Sequence, residues 1–324
     1  MVWRFQCISI QVLRLTKWQV DRHAQELRDI TESLLKALEY TSPRETMMSD
    51  NSSTDALRDE INLKVKHWAV DEAEIQLFDS LANKSSLLVE FFYYRHPFEI
   101  TLAFSFYAWF FFYIDDVAPR SSLENYLHVL LSGGSQSGPL GHLHTVLADL
   151  FTHWDPVLVN MMVTALMDLM SATVLEGRDN IIQMKLTART WPSYLRVRSA
   201  TSPGFSSALF PMTAHPDNTA FIQALPDMDE YMCLINDVLS FHKEALAGET
   251  TNHVFTRAEM EGKDPKSVLL EMSGQLALLH HRIAATLRTS PAALATWVAF
   301  ENGCIAWHLK LDRYRLAKDF GFIW

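Results

Sequence analysis

PDMDEYMCLINDVLSFHKEALAG, Pro226 to Gly248, is the stretch on which the reading of this chain turns. Proline fits the first turn of a helix and glycine its C-terminal cap, so the two residues bracket one helix. Between them Met228, Tyr231, Met232, Ile235 and Leu239 recur at the spacing of a stripe that faces a core. The same helical period dominates the rest of the 324 residues, strand-like alternation is rare, and no fixed-period repeat occurs. With only 11 glycines and 12 prolines to interrupt it, the chain is expected to be all-α.

Working outward, Thr201 to Asn218 contains Pro203, Gly204, Pro211 and Pro216 and is expected to break or kink any helix there. Ser132 to Gly141 (SGGSQSGPLG) reads as a loop, and Thr41 to Asp55 (TSPRETMMSDNSSTD) as a polar connector. The expected organisation is therefore an N-terminal helical piece and partly flexible linker over 1–54, followed by the main body over 55–324. Ile100 to Ile114 (ITLAFSFYAWFFFYI) is uncharged for 15 residues, short of the roughly 20 that a membrane span needs. It runs straight into Asp115 and Asp116, which favours a buried helix whose end reaches a polar pocket; no membrane span is expected.

Apolar residues at 48% and charged residues at 20% fit a folded globular chain. A formal charge of −10 argues against a general nucleic-acid partner, and any anionic ligand must be met by bound cations and a few placed basic side chains. Cys7, Cys233 and Cys304 are too scattered for a disulfide framework or thiolate metal site. The first 30 residues hold Arg4, Arg14, Lys17 and Arg22 without a continuous apolar core, so a secretory signal is not expected and the cytoplasm is the expected compartment. The 13 histidines form no H-E-x-x-H spacing, and neither a Gly-rich phosphate loop nor a G-x-S-x-G elbow is present.

At 100° per residue, Asn236, Ser240 and Glu244 climb one side of the Pro226–Gly248 helix beside its apolar stripe. Amide, hydroxyl and carboxylate oxygens suit a hard cation such as Mg²⁺, which commonly bridges to substrate phosphates. N-x3-S-x3-E alone arises by chance in roughly one chain in twenty, so alone it is also the pattern of a solvated helix face. The longer string Asn236-Asp237-x-x-Ser240-x-x-Lys243-Glu244 arises on the order of once in several thousand chains and is specific. Here the chain resembles the class I terpene synthases, most closely those of the fungal trichodiene synthase type, over about Asp55 to Trp324.

That resemblance implies a single helical bundle with a central active-site cavity and three Mg²⁺ ions gripping a prenyl diphosphate. Asp115, 121 residues before Asn236, would bridge metal from the facing wall with Asp116 in support. The family's further acid is missing, since Ala118, Pro119 and Arg120 follow. Arg196 resembles the diphosphate-sensing arginine, with Arg198 as the alternative, and the kinked helix after it would bring Ser199 and Ala200 to the substrate. Arg313-Tyr314 resembles the C-terminal pair that closes over the diphosphate, and Lys243 would add a charge from nearly the same face as Asn236. Arginine suits this role because its planar fork donates several charge-assisted hydrogen bonds. An aromatic cavity can steady a carbocation. Phe111, Phe112 and Trp307 are expected there, with Phe91, Phe92 and Tyr94 as weaker candidates.

The implied reaction is ionisation of a linear prenyl diphosphate, farnesyl diphosphate by the nearest resemblance, and cyclisation to a sesquiterpene hydrocarbon or alcohol. Asp115, Arg196, Asn236, Ser240, Glu244, Arg313 and Tyr314 would carry it. The alternatives are a chain-elongating prenyl diphosphate synthase, which should show a second aspartate-rich motif where Asn-Ser-Glu stands here, and a catalytically silent prenyl-diphosphate-binding protein. The resemblance also allows a homodimer.

Overall fold

A computed structural model describes residues 20–48, 53–177, 185 and 187–322. The described residues form fifteen α-helices joined by turns, with no strand among them. The first are α1 (Val20–Ala37), α2 (Arg44–Met48), α3 (Ser53–Val65), α4 (Glu72–Tyr93) and α5 (Phe98–Asp116). Next come α6 (Arg120–Leu131), α7 (Leu140–Leu150), α8 (Pro156–Glu176), α9 (Trp191–Ser199) and α10 (Ser202–Ser207). The last are α11 (Leu225–Ala247), α12 (His253–Glu261), α13 (Pro265–Leu287), α14 (Pro291–Lys310) and α15 (Leu316–Phe320).

Local chemistry explains where these helices begin and end. Asp71 caps α4 by accepting from the Glu74 amide, and Asp155 and Asp264 do the same for α8 and α13, each followed by a proline that fits the first turn. As the sequence predicts, α11 carries Pro226 in its first turn and stops at Gly248, whose φ of 75° is left-handed. The expected connector holds more helix than its polarity suggests. α2 lies within it with Met47 buried, and α3 starts at Ser53 inside the expected 1–54 segment. Ser, Thr, Asn and Asp mark loops and helix starts alike.

α5 is enclosed on nearly every side, with Tyr107, Ala108, Trp109, Phe110 and Ile114 all fully buried. A helix that is apolar all round belongs in a core, and here α3, α4, α7 and α8 supply the surroundings. Among the described residues one helix, α8, is long and apolar enough to cross a membrane, and half of its apolar window is buried inside the protein. α1 lays Leu27, Ile30 and Leu34 on α11 and α13, within the same core as the later helices.

Two close approaches bring the cavity walls together. At Gly303 in α14 an added methyl would overlap the Phe91 carbonyl of α4, and at Gly204 in α10 it would overlap the Tyr107 hydroxyl of α5. Backbone cannot yield as a flexible side chain does, so Gly303→Ala is expected to cost about 1–3 kcal/mol, read as a lower urea midpoint at unchanged slope.

Burial also sets an acid limit. His96, between α4 and α5, is pushed down to about 4 chiefly by desolvation. The unfolded chain takes up a proton near pH 6.5 that the fold refuses, so stability is complete above that pH and falls on acidification toward pH 4. His96→Asn should remove up to roughly 3 kcal/mol of this dependence, measured as denaturant midpoint against pH.

Candidate active site

A cleft of about 340 Å³ opens between α4, α5, α9, α10, α11 and α14. Its floor is apolar, made by Leu88, Phe92, Phe111, Phe112, Phe205, Met232 and Trp307, while its mouth is charged. Phe111 packs edge-on to Phe112 and Phe205, and Phe92 meets Trp307 edge-on at 6.1 Å. Of the weaker aromatic candidates Phe92 lines the cleft, Phe91 packs against Trp307 at 5.9 Å, and Tyr94 is not among the lining residues.

The break after Arg196 falls where α9 ends. Thr201 adopts φ 55°, ψ 22°, a left-handed conformation that a β-branched residue pays for by roughly 1–3 kcal/mol. It is fully buried and its hydroxyl has no hydrogen-bond partner among the described residues. Pro203 and Gly204, expected to be the breakers, lie in the first turn of α10, where proline is tolerated. The break turns Ser199 and Ala200 into the cleft wall.

At the mouth, α5 ends in Asp115 and Asp116. Desolvation, then the neighbouring Asp116 charge, raises the Asp115 carboxyl above its ordinary range against the opposing pull of Lys84, Arg196 and Arg313. Asp116 is held by Lys84 Nζ at 2.6 Å, and the same ammonium lies 4.2 Å from the Phe112 ring centroid. Lys84 is a cleft residue that the sequence reading missed: a single lysine in α4 carries no signal of a partner 32 residues away.

α11 provides the opposite wall. Arg196 Nη2 donates to Asn236 Oδ1 at 2.9 Å, and its Nε lies 2.7 Å from Asp237 Oδ1 with the N–H not aligned on that oxygen. Burial opposes the Arg196 charge, but Asp237, Cys233 and Glu244 outweigh it and raise its pKa, so it stays protonated. Asp237 also meets His253 Nδ1 at 2.7 Å and lines the adjoining polar cleft rather than the aromatic one. Lys243 Nζ sits 3.1 Å from Glu244 Oε1. Asn236 and Lys243 line the cleft, while Asn236 and Glu244 line an adjoining polar cleft of about 640 Å³ that shares Arg196, Ser199 and Glu176 with the first. Ser240, between them on the helix, is only 2% exposed and is not among the lining residues of either cleft.

Arg313 and Tyr314 arrive on a turn after α14 and complete the mouth. Trp307 Nε1 donates to the Tyr314 hydroxyl at 3.1 Å, which fixes the phenol above the aromatic floor. Burial raises the Tyr314 pKa, so the phenol keeps its proton. Arg198, the alternative to Arg196, instead stacks 3.8 Å over Tyr194 and reaches toward Asp168 at 3.6 Å; it does not line the cleft.

Among the described residues no three His, Cys, Asp or Glu side chains converge as a ready metal cluster. The oxygen donors that the two motifs offer are split between two walls, and three of them are met by a basic group: Asp116 by Lys84, Asn236 by Arg196 and Glu244 by Lys243. Hard oxygens already satisfied by cations fit a site for divalent ions that would exchange with those side chains.

Comparison with known proteins agrees with this architecture. The chain belongs to the trichodiene synthase family, whose profile matches residues 28–320. It is 33% identical to the terpene synthase BipA of Cochliobolus sativus over 231 residues, 69% of this chain and 71% of that one. Monoterpene synthase 25 of Postia placenta is 28% identical over 189 residues, 57% of this chain and 56% of that protein. Alpha-cuprenene synthase COP6 of Coprinopsis cinerea is 31% identical over 170 residues, 52% and 51% of the two chains.

Proposed function

We propose that this chain is a magnesium-dependent lyase that ionises farnesyl diphosphate and cyclises the resulting cation to a sesquiterpene hydrocarbon or alcohol. The observation that carries this reading is the division of the cleft: an aromatic floor beneath a mouth where oxygen donors and basic side chains alternate. Asp115 and Asp116 on one wall and Asn236, Ser240 and Glu244 on the other would hold three Mg²⁺ ions, which supply Lewis acidity to the leaving diphosphate. Arg196 and Lys243, now spent on Asn236 and Glu244, become donors to diphosphate oxygens once those oxygens are otherwise engaged. Arg313 and Tyr314 close the mouth from the third side, and together these donors stabilise charge developing on the leaving group. Phe92, Phe111, Phe112 and Trp307 then keep water from the cation and present ring faces to it.

A ten-carbon substrate is the second reading, favoured by a cleft near the small end of ligand pockets, about 340 Å³, and by a relative named a monoterpene synthase. Competing geranyl, farnesyl and geranylgeranyl diphosphates at equal concentration, with mass spectrometry of the extracted products, decides between them. A predominantly fifteen-carbon cyclic product is expected, and a predominantly ten-carbon one would reassign the substrate. Chain elongation is disfavoured by Asn236, Ser240 and Glu244 standing where a second aspartate-rich motif would be. The charge of −10 supports no nucleic-acid partner. Buried thiols at Cys233 and Cys304 suit a cytoplasmic protein. A homodimer remains part of the proposal by family resemblance.

A further inference from the structure

His308 is buried in α14, one residue after Trp307, and belongs to no motif in the sequence. Its Nδ1 lies 2.8 Å from the Cys304 carbonyl oxygen. A carbonyl can only accept, so Nδ1 carries the proton and the neutral ring has its lone pair on Nε2. That lone pair is 3.2 Å from Asn236 Nδ2. On the other side of the same amide, Arg196 can only donate, and it meets Oδ1 at 2.9 Å. Two partners of opposite character therefore assign the Asn236 amide in one orientation, nitrogen toward α14 and oxygen toward Arg196.

We propose that His308 is a positioning residue: its tautomer, locked by the Cys304 carbonyl, holds the Asn236 amide so that Oδ1 and not N–H is offered to a divalent cation. The inference rests on Asn236 being a metal ligand. An asparagine turned over would aim two N–H donors at a cation, and arginine alone is a weak guard, because the cation must displace it. His308 keeps its hold when Arg196 leaves. Outer groups that orient a ligand typically contribute 10–100-fold to metal affinity.

The test is the Mg²⁺ concentration giving half of the thermal stabilisation produced by saturating inorganic diphosphate, read on the intact protein without turnover. His308→Phe keeps a ring against Tyr314, which packs 4.5 Å from the imidazole, but has no acceptor for the amide. It should raise the required Mg²⁺ by roughly 10–100-fold. His308→Gln can still accept through its amide oxygen and should stay within a fewfold of the unaltered protein. If the phenylalanine variant does not fold, His308→Leu reads the same loss.

Asn236→Asp supplies the decisive background, since a carboxylate presents oxygen whichever way it turns. There His308→Phe should cost no further Mg²⁺ affinity. An equal loss in both backgrounds, or no loss from His308→Phe alone, overturns the positioning role. Absence of any Mg²⁺-dependent stabilisation by diphosphate in the unaltered protein removes the metal reading itself, and this inference with it.

Discussion

Asp115→Asn should lower turnover of farnesyl diphosphate by roughly 10²–10³-fold, the loss expected when several kcal/mol of transition-state charge stabilisation disappears. The fold should not suffer. The Asp115 carboxyl is raised by desolvation and by Asp116, so the folded protein holds its proton more tightly than the unfolded chain does. Stability is therefore lost as pH rises from the unfolded to the folded pKa, and at neutral pH the ionised group works against the fold. Asparagine relieves that repulsion. An unchanged or slightly higher melting temperature together with collapsed turnover places Asp115 in the chemistry; a lower melting temperature with proportionate loss of activity would make it a structural residue.

Glu244→Gln should cause a loss of the same size, roughly 10²–10³-fold in kcat, with a different signature. Its carboxylate is held by Lys243 at 3.1 Å, so neutralising it frees that ammonium in the absence of metal. Lys243 is then available to the diphosphate at once, and inorganic diphosphate without Mg²⁺ should bind the variant at least as well as the unaltered protein. With Mg²⁺ present, the variant should lose most of the additional affinity. Titration calorimetry with and without Mg²⁺ separates the two effects. Full activity in both Glu244→Gln and Asp115→Asn would refute the division of metal ligands between the two walls.

The helical class and α11 were legible because they depend on local rules: Pro226 and Gly248 bracket the helix in sequence and in structure. The site was legible only where a residue belongs to a spaced motif. Asn236, Arg196, Asp115, Arg313 and Tyr314 meet in one cleft, yet Asp237, adjacent in the string, turns to Arg196 and His253. Ser240 shares the face of Asn236 but is buried at the helix seam. Periodicity gives a direction around a helix axis; it does not say how closely a neighbouring helix covers that direction. The Thr41–Asp55 connector misled because turn residues also start helices, as at α2, whereas the break expected within Thr201–Asn218 does fall there. The actual break uses Thr201, which has no intrinsic preference for the left-handed region and is held there by its surroundings. Lys84 and His308 were invisible because their partners lie 32 and 72 residues away and no local pattern links them.

Magnesium-triggered cyclisation is tested by a paired incubation of the purified chain with farnesyl diphosphate, with Mg²⁺ in one arm and excess chelator in the other, quantifying released diphosphate and solvent-extractable product together. A cyclic fifteen-carbon hydrocarbon or alcohol and an equal amount of diphosphate are expected with Mg²⁺, and neither with chelator. Neither product nor diphosphate release in the Mg²⁺ arm, or equal turnover in both arms, would contradict that mechanism.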